Sequence, residues 1–210
     1  MNIEQKAIEF FIKENVLTFG DFVLKSGRRS PYFFNTGKLC SATQLATLGQ
    51  LYAEKFQMES VFNDTTVIFG SAYKGIPISV ATAIALAGTD RANVRAVSDR
   101  KEAKTHGDTS SFLGEIKVGD KAVIVDDVMT TGGTKYEAIA KLREVGCEPT
   151  GLIIAFDRAE PPEGSQITAK EAFENETKLP VFALASVHDI VKVNPDFGGI
   201  LEQYLDTVRA

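Results

Sequence analysis

Short apolar runs and longer stripes at helical spacing alternate along this chain. Residues 1–16 place Ile3, Ala7, Phe10 and Phe11 near one face of an amphipathic helix. An extended segment is expected around Tyr32-Phe33-Phe34. From about Thr43 to Gln57, Leu45, Leu48, Leu51 and Phe56 repeat with helical spacing. Val67-Ile68-Phe69 reads as a buried strand ending at Gly70, and Ile76–Leu86 as an alanine-rich helix with Pro77 in its first turn. Further strands are predicted at Val94–Val97, Ala122–Val125, Leu152–Phe156 and Val181–Ala185. Helices are predicted at Lys135–Val145, stopped near Gly146, then at Ile167–Thr177 and Gly199–Val208. Residues 100–112 read as a polar loop and Glu160–Gly164 as a turn. Strands alternating with helices predict an α/β fold with a mostly parallel central sheet flanked by helices.

At 210 residues with 44% hydrophobic content, the chain is expected to form one domain with a full core. A net charge of −5 argues against a nucleic acid as the main partner. No apolar run approaches the roughly 20 residues of a membrane helix, so no membrane partner is expected. The two cysteines, Cys40 and Cys147, lie far apart and suit a reducing, cytoplasmic setting.

The strongest chemical signal lies between Lys121 and Leu142. An aliphatic strand runs into Asp126-Asp127, then Val128-Met129, then the turn Thr130-Thr131-Gly132-Gly133-Thr134, then a helix. Such a strand–turn–helix makes an anion site from backbone N–H groups, and the acids suit sugar hydroxyls or a metal ion. The Gly-Lys-Ser/Thr spacing of P-loop NTPases is absent, and so is the third glycine of the dinucleotide fingerprint. A second glycine-bounded turn, Gly70–Gly75, carries Tyr73 and Lys74 at a helix start and suits another phosphate. A third cluster places Arg100, Lys101, Lys104 and His106 within seven residues of an acidic protein. Such a run repels itself unless an anion is present. Arg158, just after a predicted strand, can grip a planar carboxylate, with a structural ion pair as its alternative. His188 reads as structural.

The Asp126–Thr134 run resembles the phosphoribosyl-diphosphate (PRPP) motif of type I phosphoribosyltransferases. The string Arg100–Gly107 resembles the catalytic loop of the orotate phosphoribosyltransferases among them, and Leu24–Asn35 resembles their N-terminal segment. The resemblance covers residues from about 19 to 159 and implies a type I phosphoribosyltransferase-like fold with a small hood. The hood would comprise residues 1–40 plus a C-terminal segment, and the PRPP-binding core residues 43–160. It implies that Asp126 and Asp127 hold the ribose, that Thr130, Thr131, Gly132, Gly133 and Thr134 hold the 5′-phosphate, and that Val128 and Met129 between them also contact PRPP. Gly133 stands where some relatives carry threonine, and its N–H can serve. Lys25, Tyr73, Lys74, Arg100, Lys101, Lys104 and His106 are implied as further PRPP contacts, and Lys25, Phe33, Phe34, Thr130 and Arg158 as orotate contacts. Of the two adjacent aromatics, at least one is expected to pack in the core.

Lys101, Lys104, His106, Asp126 and Asp127 are the implied catalytic residues. The implied cofactor is Mg²⁺, held mainly by PRPP and water rather than by strong protein ligands. The implied assembly is a homodimer in which residues 100–112 act on the neighbouring site. Alternatives are a phosphoribosyltransferase for a purine or uracil, a PRPP-sensing regulator and a receiver-type signalling domain. The segment 25–35, the cationic loop and Arg158 favour orotate.

Overall fold

The computed structural model describes residues 1–24, 27–100, 112–130 and 132–209. In chain order the elements are α1 (Ile3–Lys13), β1 (Leu17–Val23), β2 (Arg29–Phe34), α2 (Ala42–Met58), β3 (Val67–Gly70), α3 (Gly75–Leu86), β4 (Arg95–Asp99) and β5 (Phe112–Leu113). Then come β6 (Lys121–Val128), α4 (Gly133–Glu144), β7 (Glu148–Asp157), α5 (Ala169–Thr177), β8 (Val181–Ser186), α6 (Val187–Val193) and α7 (Gly198–Arg209).

The centre is a six-stranded sheet in the order β5-β4-β3-β6-β7-β8, parallel except for the short edge strand β5. Side chains alternate across a strand, and here both faces are covered, so the central strands are apolar throughout. Ile68, Val123, Val125, Ile153 and Ala155 enter one core with α1, α2 and the N-terminal hairpin. Val67, Phe69, Ala122, Ile124, Leu152 and Ile154 enter a second core with α4 and α5. Residues Val123–Val125 are fully buried because β6 has a strand on either side and helices above and below.

Local chemistry fixes the helix starts. Asn2 accepts the Gln5 N–H at 2.9 Å at the head of α1. Ser41 and Gln44 form a capping box at α2, and Thr168 and Glu171 another at α5.

The antiparallel β1–β2 hairpin packs beside the end of β7. Phe34 stacks on Phe156 with centroids 4.8 Å apart, and Tyr32 meets Phe156 edge-on at 5.9 Å. The C-terminal α7 brings Tyr204 against Tyr32 at 6.0 Å.

Three elements were not expected from the sequence: β1, α6 and the two-residue edge strand β5, whose Phe112 falls in the segment read as a polar loop. Gly20-Asp21 interrupts the alternation of β1, which also carries a register shift between Phe19 and Phe22. Helix α6 is only 7 residues long, too short to show a period. The strand expected at Val181–Ala185 is β8, which pairs with β7 at the edge of the sheet.

Candidate active site

The site is built where β3, β4 and β6 end side by side. Gly70 pairs with Val125 on one side and Ser98 on the other. The chain then turns through Ser71–Lys74 into α3. This turn is so tight that a Cβ on Gly70 would overlap the Gly75 carbonyl, and one on Gly75 would lie 2.8 Å from the Val125 oxygen. The Ala72–Tyr73 peptide is cis. Asp99, at the end of β4, accepts the Ala72 N–H at 2.7 Å and the Lys141 ammonium at 2.9 Å. The loop over the strand ends is thereby tied to α4.

Both acids of the motif are buried at the end of β6, and each is held by a lysine. Lys74 Nζ lies 2.5 Å from Asp127 Oδ2, and Lys135 Nζ lies 2.5 Å from Asp126 Oδ2. The two clasps differ in exposure. The Lys74 side chain is 46% exposed, whereas that of Lys135 is 7% exposed. Lys135 also donates to the Val128 carbonyl at 2.8 Å. Beneath them, the buried Tyr52 hydroxyl donates to the Asp126 carbonyl at 2.7 Å. Burial pushes the Asp126 carboxyl above the ordinary carboxylate range; Lys135 pulls it down and Asp127 adds to the rise.

The turn that follows is shaped for an anion. Asp127 Oδ1 accepts the Val128 N–H at 2.8 Å at the last residue of β6. Met129 packs into the second core, while Thr130 points outward and is exposed. Gly132 has a φ of 77°, the left-handed conformation that glycine adopts without strain. Its carbonyl accepts the Lys135 and Tyr136 N–H groups to start α4. Gly133 and Thr134 are exposed at the helix head, where the first N–H groups have no intrahelical acceptor.

On the side of the N-terminal hairpin, Val128 pairs with Phe156, so Arg158 leaves the sheet beside this turn. The Arg158 guanidinium lies 4.4 Å above the Tyr32 ring, and its Nη2 donates to Glu160 Oε1 at 2.7 Å. The same oxygen accepts the Tyr32 hydroxyl at 2.9 Å and the Tyr204 hydroxyl at 2.7 Å. Arg28 reaches the other oxygen at 3.2 Å. Arg158 therefore takes part in a structural ion pair. Phe34 is buried between Phe11 and Phe156, whereas Phe33, on the opposite face of β2, is half-buried against Phe22.

The structure thus brings together Tyr73, Lys74, Asp126, Asp127, Val128, Met129, Thr130, Gly132, Gly133 and Thr134 around one set of strand ends. Arg100 follows β4 directly, and its Nε is buried without a hydrogen-bond partner among the described residues. Lys25, Lys101, Lys104, His106 and Thr131 lie outside the described residues. Asp99, Lys135 and Glu160 were not singled out from sequence; each gains its importance from partners distant in the chain or hidden in a turn.

The phosphoribosyl transferase domain family matches residues 43–188. The orotate phosphoribosyltransferase of Marinobacter nauticus is 44% identical over 202 residues, which cover 95% of this chain and 93% of that one. That of Thioalkalivibrio sulfidiphilus is 40% identical over 207 residues, covering 99% and 95%. Among solved structures, the orotate phosphoribosyltransferase of Francisella tularensis superposes with a TM-score of 0.84 at 36% identity, covering 95% of this chain and 97% of its own. Sheet order, the PRPP-type turn and these likenesses agree, and the chain belongs to the orotate phosphoribosyltransferase family.

Proposed function

We propose that the protein transfers the 5-phosphoribosyl group of PRPP to orotate, giving orotidine 5′-monophosphate and diphosphate, a step of pyrimidine nucleotide synthesis. The observation that carries this reading is the pair of lysine-clasped acids, Asp126 and Asp127, beside an anion-binding turn at the end of β6.

The 5′-phosphate sits on the amides of Gly132–Thr134 at the head of α4. The diphosphate draws the exposed Lys74 away from Asp127, which frees that carboxylate for the ribose hydroxyls. As the bond to diphosphate breaks, positive charge grows on the ribose ring, as in glycoside cleavage. Asp126 and Asp127 favour that charge, while Lys74, with Arg100, Lys101, Lys104 and His106, favours the leaving diphosphate. The attacking ring nitrogen of orotate forms the new bond to the ribose carbon as the bond to diphosphate breaks, and its proton passes to the departing diphosphate or to water, so catalysis rests on positioning and electrostatics. Arg158, with Lys25, Thr130 and Phe33, orients orotate, and Phe34 supports that wall from the core.

Among the described residues no cluster of three or more metal-binding side chains occurs. A Mg²⁺ would be held mainly by PRPP and water oxygens, the ligands that ion prefers. When bound, the ion neutralises diphosphate charge.

The hood reading for residues 1–40 and the C-terminal helices is supported by the packing of Tyr32, Phe34 and Tyr204 around Phe156 and Arg158. A homodimer belongs to the same proposal. Helix α3 leaves Pro77, Val80 and Ile84 exposed next to the Lys74 turn, with Ile84 70% exposed. Mixing Lys101→Ala with Asp127→Ala protomers then restores activity at one site per mixed dimer. No recovery despite proven subunit exchange defeats a loop acting across the dimer. A cytoplasmic setting fits two free cysteines, one of them exposed, and a chain in which no described helix is long and apolar enough to cross a membrane.

A crystal structure with PRPP and Mg²⁺ tests the site itself. The expected result is Lys74 on the diphosphate and Asp127 on the ribose. PRPP bound away from the ends of β3 and β6 defeats the assignment.

A further inference from the structure

Of the two clasped acids, one pair is open to solvent and the other is closed in. Lys74 approaches Asp127 from an exposed turn and can leave. Lys135 cannot leave as readily. Its ammonium is buried, lies 2.5 Å from Asp126 Oδ2 and donates to the Val128 carbonyl at 2.8 Å. One ammonium thus pins both the acid and the first carbonyl of the phosphate turn. A lysine in the first turn of α4 would ordinarily reach solvent, and Glu137 beside it is exposed. The inward course of Lys135 is a feature of the tertiary structure and serves the motif rather than the helix.

We propose that Lys135 is a positioning residue for the reaction, a fixed counter-charge that keeps Asp126 ionised and turned toward the ribose side of the site. This rests on the PRPP reading of the site and goes beyond it by giving the two acids different duties. Asp127 exchanges its lysine for substrate, whereas Asp126 keeps its lysine throughout. Among the described residues, the charged and titratable groups facing Asp126 are Lys135 from α4, Asp127 from its own strand, Lys74 across Asp127 and the Tyr52 hydroxyl from α2. Lys135 is the cation in direct contact. Burial and the Asp127 carboxylate both disfavour charge on Asp126, so among the described residues loss of Lys135 leaves only the Asp127 backbone N–H, 2.9 Å from Asp126 Oδ1, to favour the ionised form.

The test is Lys135→Met, which keeps an unbranched apolar stem, beside Lys135→Gln, which keeps a donor for the Val128 carbonyl without the charge. In both, the acidic limb of kcat/KM for PRPP moves up by about one pH unit or more, a tenfold loss on that limb. Activity returns toward the wild-type value at alkaline pH. A loss of equal size at every pH, or no loss, overturns the proposal.

A second readout does not depend on turnover. With ¹³C-carboxyl aspartate, and Asp126→Asn to assign the signal, Asp126 titrates at higher pH in Lys135→Met than in the unsubstituted protein. An unchanged Asp126 titration overturns the proposal. If Lys135→Met does not fold, Lys135→Gln gives the same readings. An unsubstituted protein that fails to consume orotate with PRPP refutes the activity instead, and the carboxyl titration still decides what Lys135 does to Asp126.

Discussion

Glu160→Gln removes one charge from a largely enclosed carboxylate with four side-chain donors while nearly keeping its shape. Glu160 Oε1 accepts from Arg158 at 2.7 Å, Tyr32 at 2.9 Å and Tyr204 at 2.7 Å, and Oε2 accepts from Arg28 at 3.2 Å. The Arg158 side chain is 9% exposed, so its charge has little water to fall back on. Breaking a buried pair by removing one partner costs about 3–5 kcal/mol. Glutamine can still accept the tyrosine hydroxyls through its carbonyl oxygen, but its amide then turns donors toward Arg28. The expected loss is therefore near the lower end, about 3 kcal/mol. For a domain of this size each kcal/mol moves Tm by about 2–4 °C, so Tm falls by about 6–12 °C. Urea unfolding followed by circular dichroism should show a lower midpoint at unchanged slope. Arg158→Met with Glu160→Leu together should not recover the loss, since Arg28 and the Tyr32 and Tyr204 hydroxyls then have no acceptor. A loss below about 1 kcal/mol, the size of an exposed pair, would refute the idea that Glu160 is the electrostatic anchor of Arg158.

Other outcomes are equally definite. Phe34→Ala empties a site between Phe11 and Phe156 and should cost about 3–5 kcal/mol in urea unfolding, whereas Phe33→Ala should cost less and raise KM for orotate instead. Lys74→Ala should lower kcat with PRPP far more than it lowers stability, since its partner Asp127 keeps the Val128 N–H bond; equal kcat would remove Lys74 from leaving-group stabilisation. Asp189 takes the N–H and hydroxyl of Ser186 and the Lys192 ammonium, and despite burial these bonds hold its carboxyl below the usual range. A depressed folded pKa contributes stability that is present above the unfolded carboxylate pKa and lost as pH falls through the folded one. Asp189→Asn should therefore be less stable than the unsubstituted protein at neutral pH, and the gap should close in acid unfolding curves. Cys40 is exposed, whereas burial pushes the Cys147 thiol up to about 11, so a thiol reagent near pH 8 should modify one cysteine in the native protein and both after unfolding.

The strand–turn–helix that carries the candidate site was legible because its signals are local. The run from Ala122 to Leu142 contains its own strand, turn and helix, and Gly70 and Gly75 mark the second turn. The alternation in Tyr32-Phe33-Phe34 implied that one phenylalanine faces inward, and Phe34 does. What the sequence concealed is tertiary. Glu160 read as part of a proline turn, yet its partners Tyr32 and Tyr204 come from 128 and 44 residues away. Lys135 looked like an ordinary first-turn lysine, and only the packing of α4 on β6 shows that it points inward. Strand β1 was missed because Gly20-Asp21 breaks its pattern, and its pairing with β2 is set by the partner strand.

The central claim is the reaction. Orotate absorbance should be followed with PRPP and Mg²⁺, beside parallel assays with uracil, hypoxanthine and adenine. The account predicts loss of orotate that requires both PRPP and Mg²⁺ and does not occur with the other bases. Turnover of another base in place of orotate would contradict it, as would PRPP binding with no base consumed.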